Sequence, residues 1–330
     1  SGFDYEVSAE AELDVTVAEA GSVLVPGRLL ADITRSLPGQ PVDIATDGSR
    51  VQVSCGSARF TLPTLPLDEY PTLPDMPEVA GTLGSDAFAA AVTSVAVAAG
   101  RDDTLPVLTG IRIEIDGEDV TLAATDRYRL AVRTLRWQPA DPSLQATALV
   151  PARTLAEAAK SLTAGAEVTL ALAAGTTGEG MFGLAGSTRR TTTRLLDGEF
   201  PKYRSLLPDS AAATASVDTD ALTEAVRRVS LVASRTSPVR LSFSADGLVL
   251  EAGGLDEAEA AESLPASFEG EPLTIAFNPA YLLDGLGAID SDEARLSFTA
   301  STKPAVLTGK ASEDGAGDYR YLLMPVRLAG

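Results

Sequence analysis

LPVLTGIRIEIDGEDVTLAATDRYRLAV, residues 105–132, carries the alternation of a sheet protein. Ile111, Ile113 and Ile115 alternate with Arg112 and Glu114, the period of a half-buried strand. Asp116-Gly117 signals a turn, and Val120 and Leu122 resume the alternation. The polar cluster Thr125-Asp126-Arg127-Tyr128-Arg129-Leu130 interrupts it before Ala131 and Val132 restart a strand. Two arginines flanking a tyrosine between apolar runs fit the rim of a pocket, or simply a charged hairpin.

This stretch belongs to a repeat. Aspartates at turns before strands stand at Asp4, Asp126 and Asp256, with offsets of 122 and 130 residues. VLVPGRLLADITRSL (23–37) matches ALVPARTLAEAAKSL (148–162) closely and TIAFNPAYLLDGLGAI (274–289) loosely. Each copy reads as a strand, a proline at a helix start, then an amphipathic helix. Leu29, Leu30, Ile33 and Leu37 form the apolar stripe of the first. RFTLPTLPLDEYPTLP (59–74) matches RTTTRLLDGEFPKYRSLLP (190–208), rich in proline and leucine as linkers over a surface are. Segments 85–115 and 219–246 each read as a capped helix followed by a strand. The first repeat lacks a counterpart of this element and is short at its front by about the 44 positions from Thr82 to Asp126. A period this long means three similar domains rather than a solenoid. Each would pack two helices on a mainly antiparallel sheet, an α+β arrangement.

The 330 residues suffice for two or three domains with real cores. Lys+Arg is 26 against Asp+Glu 46, a net charge of −20. That balance opposes generic nucleic-acid binding, which rests on phosphate neutralisation, but leaves room for a local basic face. Cys55 is the single cysteine, so no internal disulfide framework exists and a reducing, cytosolic setting is expected. With no histidine, the commonest general base and metal ligand is missing. The apolar run 87–100 is too short to span a membrane and reads as an alanine-rich helix packed on a sheet. The opening residues carry no secretory-signal pattern.

Catalysis finds little support. Asp102-Asp103 is a carboxylate pair beside Arg101, and solvated loop charge explains it. GEGMFG (178–183) lacks the strand-to-helix setting of a phosphate loop and reads as a hairpin turn. The basic residues are more suggestive. Arg28 and Arg35 lie seven apart on one helical face, Arg153 and Lys160 reproduce the spacing, and Arg228 and Arg235 repeat it beside Arg227 on a helix over 220–235. Intrahelical pairing is the competing explanation, through Arg28–Asp32, Arg153–Glu157 and Glu224–Arg228.

The runs LPVLTGIRIEI and AATDRYRLAVRTL, the linker LLDGEFPKYRSLLP and the segment YLLMPVRL resemble the bacterial DNA polymerase III beta subunit family, the sliding clamps, in an actinobacterial version. The resemblance spans the chain. It implies the DNA clamp fold with domains at 1–78, 79–208 and 209–330, and a helix and two strands before SGFDYEV. It implies a head-to-tail homodimeric ring around double-stranded DNA, without sequence preference, catalysis, metal or cofactor. Such a processivity factor works in the cytoplasm, away from membranes. A repeat-built interaction scaffold that does not encircle DNA is the alternative.

Given a ring, Arg28, Arg35, Arg101, Arg153, Lys160, Arg227, Arg228 and Arg235 would line its inside and reach phosphates rather than bases. The resemblance also implies a groove between the second and third domains. Its peptide partners would come from the DNA polymerase III alpha subunit, the clamp loader delta subunit, other polymerases and repair proteins. One wall would be Leu108, Thr125, Arg127, Tyr128, Arg129 and Leu130. The linker would add Pro201, Ser205 and Leu206. Asn278, Tyr281, Thr302, Pro304, Leu322, Met324, Pro325, Val326, Arg327 and Leu328 would complete it, with Arg129 and Arg327 at the rim. Arg127 stands where many members have glycine, and Tyr128 where many have histidine. For the ring contact the expectation is Arg59, Phe60 and Leu62 against Leu231, Asp256, Glu257, Glu259 and Glu262; a solvated acidic turn is the other reading of 256–262.

Overall fold

The computed structural model describes residues 1–163, 165–173, 180–233, 237–253, 258–310 and 319–327. Five helices stand among them: α1 (Gly27–Ser36), α2 (Ser85–Ala96), α3 (Ala152–Ser161), α4 (Thr219–Val229) and α5 (Pro279–Leu286). The chain divides into two compact units, Ser1–Asp75 and Met76–Gly330. No helix among the described residues is long and apolar enough to cross a membrane.

In the first unit the strands Val42–Asp47, Arg50–Cys55 and Ala58–Pro63 form an antiparallel sheet. Val51, Val53 and Leu62 point from it onto Ile33 of α1, with Leu30, Leu37 and Phe60 at the margin. The expected stripe of α1 needs one correction: Leu29 is exposed, because it sits one position ahead of the Leu30–Ile33–Leu37 face.

In the second unit, strands 105–132 fold as the alternation requires. Gly110–Asp116, Asp119–Thr125 and Arg129–Arg136 pair antiparallel in sequence order. The sheet then continues into the third repeat. Tyr319–Leu323 pairs with Arg129–Arg136, matching Leu322 to Leu130 and Leu323 to Arg129, and the ladder runs on through Ala305–Gly309, Glu293–Phe298 and Ala213–Asp218. Side-chain alternation splits this sheet between two cores. Ala131, Tyr319, Tyr321 and Leu323 join the large core under the helices. Leu130, Val132 and Leu322 join a smaller one with Phe200 and Tyr203.

The linker 190–208 is therefore more than a surface strap, since Phe200 and Tyr203 are both buried. Its short turn Tyr203–Leu206 is pinned by Glu114, which accepts from Arg112 Nε at 2.6 Å, Tyr203 OH at 2.8 Å and Arg204 Nη2 at 2.5 Å. Burial pushes the Glu114 carboxyl up, but these three donors outweigh it and hold it below its ordinary range. A carboxylate depressed in the folded state stabilises above its unfolded pKa, and that stability is lost as pH falls through the folded value. Glu114→Ala should thus cost about 1–3 kcal/mol near neutral pH. The gap to wild type should begin to narrow as pH falls below the unfolded glutamate value of about 4.3. Thermal melts above and below that value check this; a gap independent of pH would refute the ionic anchoring.

The repeat is visible in atomic detail. Ser85 and Thr219 occupy the first turn of α2 and α4, where their hydroxyls donate to the carbonyls of Gly165 and Ser291. These were expected as helix caps. In α4 the cap is Asp218, which accepts from Ala221 N, and α2 has no side-chain cap. Proline precedes α1 and α3 and opens α5. The strands Glu167–Ala173 and Met181–Ala185 pair antiparallel, while the tip of the expected hairpin, 174–179, lies outside the described residues.

Candidate functional site

The turn 125–130 is built by its own side chains. Asp126 Oδ1 accepts the amides of Tyr128 at 3.0 Å and Arg129 at 3.1 Å. Thr125 Oγ1 donates to the Arg129 carbonyl at 2.7 Å and accepts the Arg127 amide at 3.2 Å. An aspartate that captures amides two and three residues on sets such a turn locally. It holds Arg127 at φ +79°, the left-handed region that favours glycine. The first repeat makes the same turn. Asp4 Oδ1 accepts the amides of Glu6 at 3.1 Å and Val7 at 2.7 Å, and Tyr5 takes φ +73°. The third copy, at Asp256, lies outside the described residues.

Arg129 is the centre of the site. The expectation put it at a rim; instead it is only 5% exposed, because its strand position faces inward under α5. Its Nε donates to Asp126 Oδ2 at 3.0 Å and its Nη1 to Asp284 Oδ2 at 2.5 Å. Nη1 also reaches Tyr321 OH at 3.4 Å, and the guanidinium lies 4.3 Å from the Tyr281 ring centroid. Burial opposes the charge, but Tyr321, Asp284 and Asp126 outweigh it and hold its pKa above the ordinary arginine value. Tyr281 in turn stacks on Tyr128 with centroids 6.4 Å apart. Tyr321 OH donates to the Tyr281 carbonyl at 2.8 Å. Gly285 permits this approach, since a Cβ there would stand 2.5 Å from the Tyr321 ring.

Above this cluster opens a cavity of about 670 Å³. Its walls come from three stretches: Leu105, Leu108 and residues 99–102 after α2, the turn 126–129, and Ala280, Tyr281 and Asp284 of α5. Leu108, Arg127, Tyr128, Arg129 and Tyr281 thus meet as expected. Arg101, expected on a DNA-facing surface, lines this cavity too. Leu105 and Asp284 went unforeseen, although Leu105 stands three before Leu108, and Asp284 one turn after Tyr281.

Other expected pocket residues take different places. Thr125, Leu130 and Leu322 are buried, the two leucines as one rung in the smaller core, so they are no exposed wall. Asn278 caps α5 by accepting the amides of Ala280 and Tyr281, which orients Tyr281. Met324 is 42% exposed, and its amide donates to the Tyr128 carbonyl at 2.9 Å. The Val326 amide donates to Ala276 O at 2.8 Å. Leu206, Ser205, Thr302, Val326 and Arg327 are exposed, Pro201, Pro304 and Pro325 half-buried, and Leu328 lies outside the described residues.

The basic spacing holds in two helices. Arg28 and Arg35 lie on α1, Arg153 and Lys160 on α3, and all four are exposed. The third instance needs correction. α4 ends at Val229 and the short turn after it at Val232, and Arg235 lies outside the described residues. α5, the counterpart of α1 and α3, carries no basic residue. The pairings also differ from expectation, apart from Arg153–Glu157 at 3.1 Å. Asp32 takes Arg35 at 2.9 Å, Glu224 takes Arg227 at 2.6 Å, and Arg228 turns to Glu262 at 2.6 Å. Side-chain reach across one turn serves either neighbour, so spacing alone could not choose.

Of the expected ring-contact residues, Leu62 is corrected: it is 1% exposed inside the first unit's core and unavailable to a partner. Arg59 is exposed and Phe60 half-buried. Leu231 is 84% exposed just beyond α4. Glu259 is exposed and Glu262 is engaged by Arg228, while Asp256 and Glu257 lie outside the described residues.

The DNA polymerase III beta subunit family matches in its N-terminal domain over residues 1–74, in its central domain over 82–202 and in its C-terminal domain over 204–327. A beta sliding clamp of Streptomyces coelicolor is 58% identical, covering 100% of this chain and 88% of its own. A beta sliding clamp homolog of Streptomyces muensis is 50% identical over 99% and 88%. Among solved structures, a sliding clamp from Pseudomonas aeruginosa bound to griselimycin superposes with a TM-score of 0.86 at 29% identity, covering 99% of this chain and 87% of its own. A clamp from Bacillus subtilis gives 0.86 at 27% identity, over 99% and 88%.

Proposed function

Because the chain belongs to the DNA polymerase III beta subunit family, the bacterial beta sliding clamps, we infer that it holds a DNA polymerase on duplex DNA as a non-catalytic processivity subunit. Its three clamp domains are taken at 1–78, 79–208 and 209–330. Two copies close head to tail, a heterologous contact that must form a ring or else polymerise. Arg59 and Phe60 of one copy meet Leu231, Glu259 and Glu262 of the next. The assembly acts in the bacterial cytoplasm. Polymerase III alpha, the clamp loader delta subunit and repair factors dock short peptides at the Tyr128–Tyr281 cavity. The apolar walls of that cavity, set between two repeats, support this reading, as a small-ligand pocket of this size would.

The observation that carries the DNA reading is the matched, exposed basic pair on α1 and α3, on a body of net charge −20. Contacts of that kind hold phosphates without reading bases, so they permit sliding. Arg153→Glu with Lys160→Glu should shorten retention on nicked circular DNA and leave the native mass unchanged. The salt dependence of retention should fall by about one unit of log slope per lost contact. Unchanged retention with an unchanged slope would reject the basic lining.

A further inference from the structure

The strand Arg129–Arg136 turns alternate side chains toward the helices. Ala131 and Leu135 join the large core, and Arg133, between them, points the same way. A guanidinium delivered into that layer needs partners, and it finds few. Its Nη1 donates to Ser94 Oγ of α2 at 3.4 Å, long for such a bond, and its Nε is buried with no acceptor. It makes no ion pair among the described residues. Tyr319 stands opposite it in the ladder, 7% exposed, and the Tyr319 hydroxyl is likewise buried without a partner. Buried polar groups are nearly always satisfied, and an unpaired buried cation is costlier still.

Arg133 also lines a second cavity, of about 640 Å³, between α2 and the end of α5. The walls are small and apolar: Ala90, Thr93 and Val97 on one side, Leu283 and Ile289 on the other. Two carboxylates join them. Asp284 is already committed to Arg129. Asp290 is exposed just past α5 and makes no ion pair or side-chain hydrogen bond among the described residues. The carbonyls at the end of α5 add partial negative charge on that side. One cation and one anion are thus left open, Arg133 on the sheet beneath the helices and Asp290 at the surface.

We propose that this cavity binds a small zwitterion, an apolar chain or ring with a carboxylate at one end and an ammonium at the other. The carboxylate supplies the acceptor that the Arg133 guanidinium lacks, the ammonium pairs with Asp290, and the apolar middle lies between Val97, Leu283 and Ile289. A simple anion meets Asp284 and Asp290, and a simple cation leaves Arg133 unpaired, so neither charge alone fits. Neither the ring nor peptide docking is needed for this site.

The test titrates linear ω-amino acids, from aminobutanoate to aminooctanoate, into the intact chain and follows them by ligand-observed NMR. The alkanoate and the alkylamine of each length run beside them. At least one amino acid should bind about tenfold more tightly than both single-charge compounds of its length, as expected when a second charge is also matched. Arg133→Met and Asp290→Asn should each remove that margin. Ala90→Phe, on the exposed face of α2, should fill the cavity and abolish binding of every compound. Asp290 and Ala90 are exposed, so these two variants should keep the wild-type melting temperature even if Arg133→Met does not fold. Equal affinities at every length, no binding at any length, or a margin that survives Asp290→Asn or Ala90→Phe would overturn the assignment.

Discussion

Arg129→Ala should lower the melting temperature of the second and third repeats by roughly 6–12 °C and abolish peptide binding. The loss is electrostatic. The substitution strips the cation from Asp126 and Asp284, whose side chains are 13% and 42% exposed, and removes a donor from the buried Tyr321 hydroxyl. Breaking a buried pair from one side costs about 3–5 kcal/mol, and the partial exposure of Asp284 argues for the lower end, about 3 kcal/mol. Tyr281 also loses the guanidinium over its ring, worth about 0.5–2 kcal/mol where desolvated, and with it the stacking surface offered to Tyr128. Adding Asp284→Asn should recover part of the loss, because one stranded carboxylate is then gone. Differential scanning calorimetry of the two variants checks this. A shift below about 2 °C for Arg129→Ala would show that solvent reaches the carboxylates and that the cluster does not organise the site.

Leu231→Glu should convert the assembly to monomer without unfolding it. Leu231 is 84% exposed in the short turn Ser230–Val232, so within one copy the substitution should change stability by no more than about 0.5 kcal/mol. In the proposed ring the same side chain is buried against the next copy. A carboxylate buried there without a cation should raise the dimer dissociation constant at least about a hundredfold, some 2.7 kcal/mol. Sedimentation at micromolar concentration reads the result directly. A variant that still runs as a tight dimer would place the interface elsewhere. Phe60→Ala is the poorer probe, since Phe60 also packs on the Ile33 cluster of its own unit.

Much of this was legible in the chain because the signals are local. Ile111, Ile113 and Ile115 alternate as their strand requires, and the Asp4 and Asp126 turns share one spacing because the same backbone capture builds both. What sequence reading missed is long-range. Arg129 meets Asp284 and Tyr321, partners 155 and 192 positions away, so nothing near it marks it as buried. Phe200 reads as part of a proline-rich connector, yet it fills the space behind Leu130 and Leu322. Domain-by-domain reading likewise had no means to see that the second and third repeats share one sheet. The pairing of Leu323 with Arg129 follows from three-dimensional placement, and both strands look self-sufficient in isolation.

That shared sheet sets a timetable for a chain leaving the ribosome. The strand Arg129–Arg136 emerges early, but its neighbour Tyr319–Leu323 is the final strand among the described residues. At translation speeds of about 5–20 residues per second, the interval is on the order of ten to forty seconds. Through that interval the nascent second repeat presents a row of open amides and carbonyls, a template for mispairing between neighbouring polypeptides. Arg129, Arg133 and Arg136 all lie on this waiting strand. Charged side chains on an open strand edge disfavour pairing with a second chain.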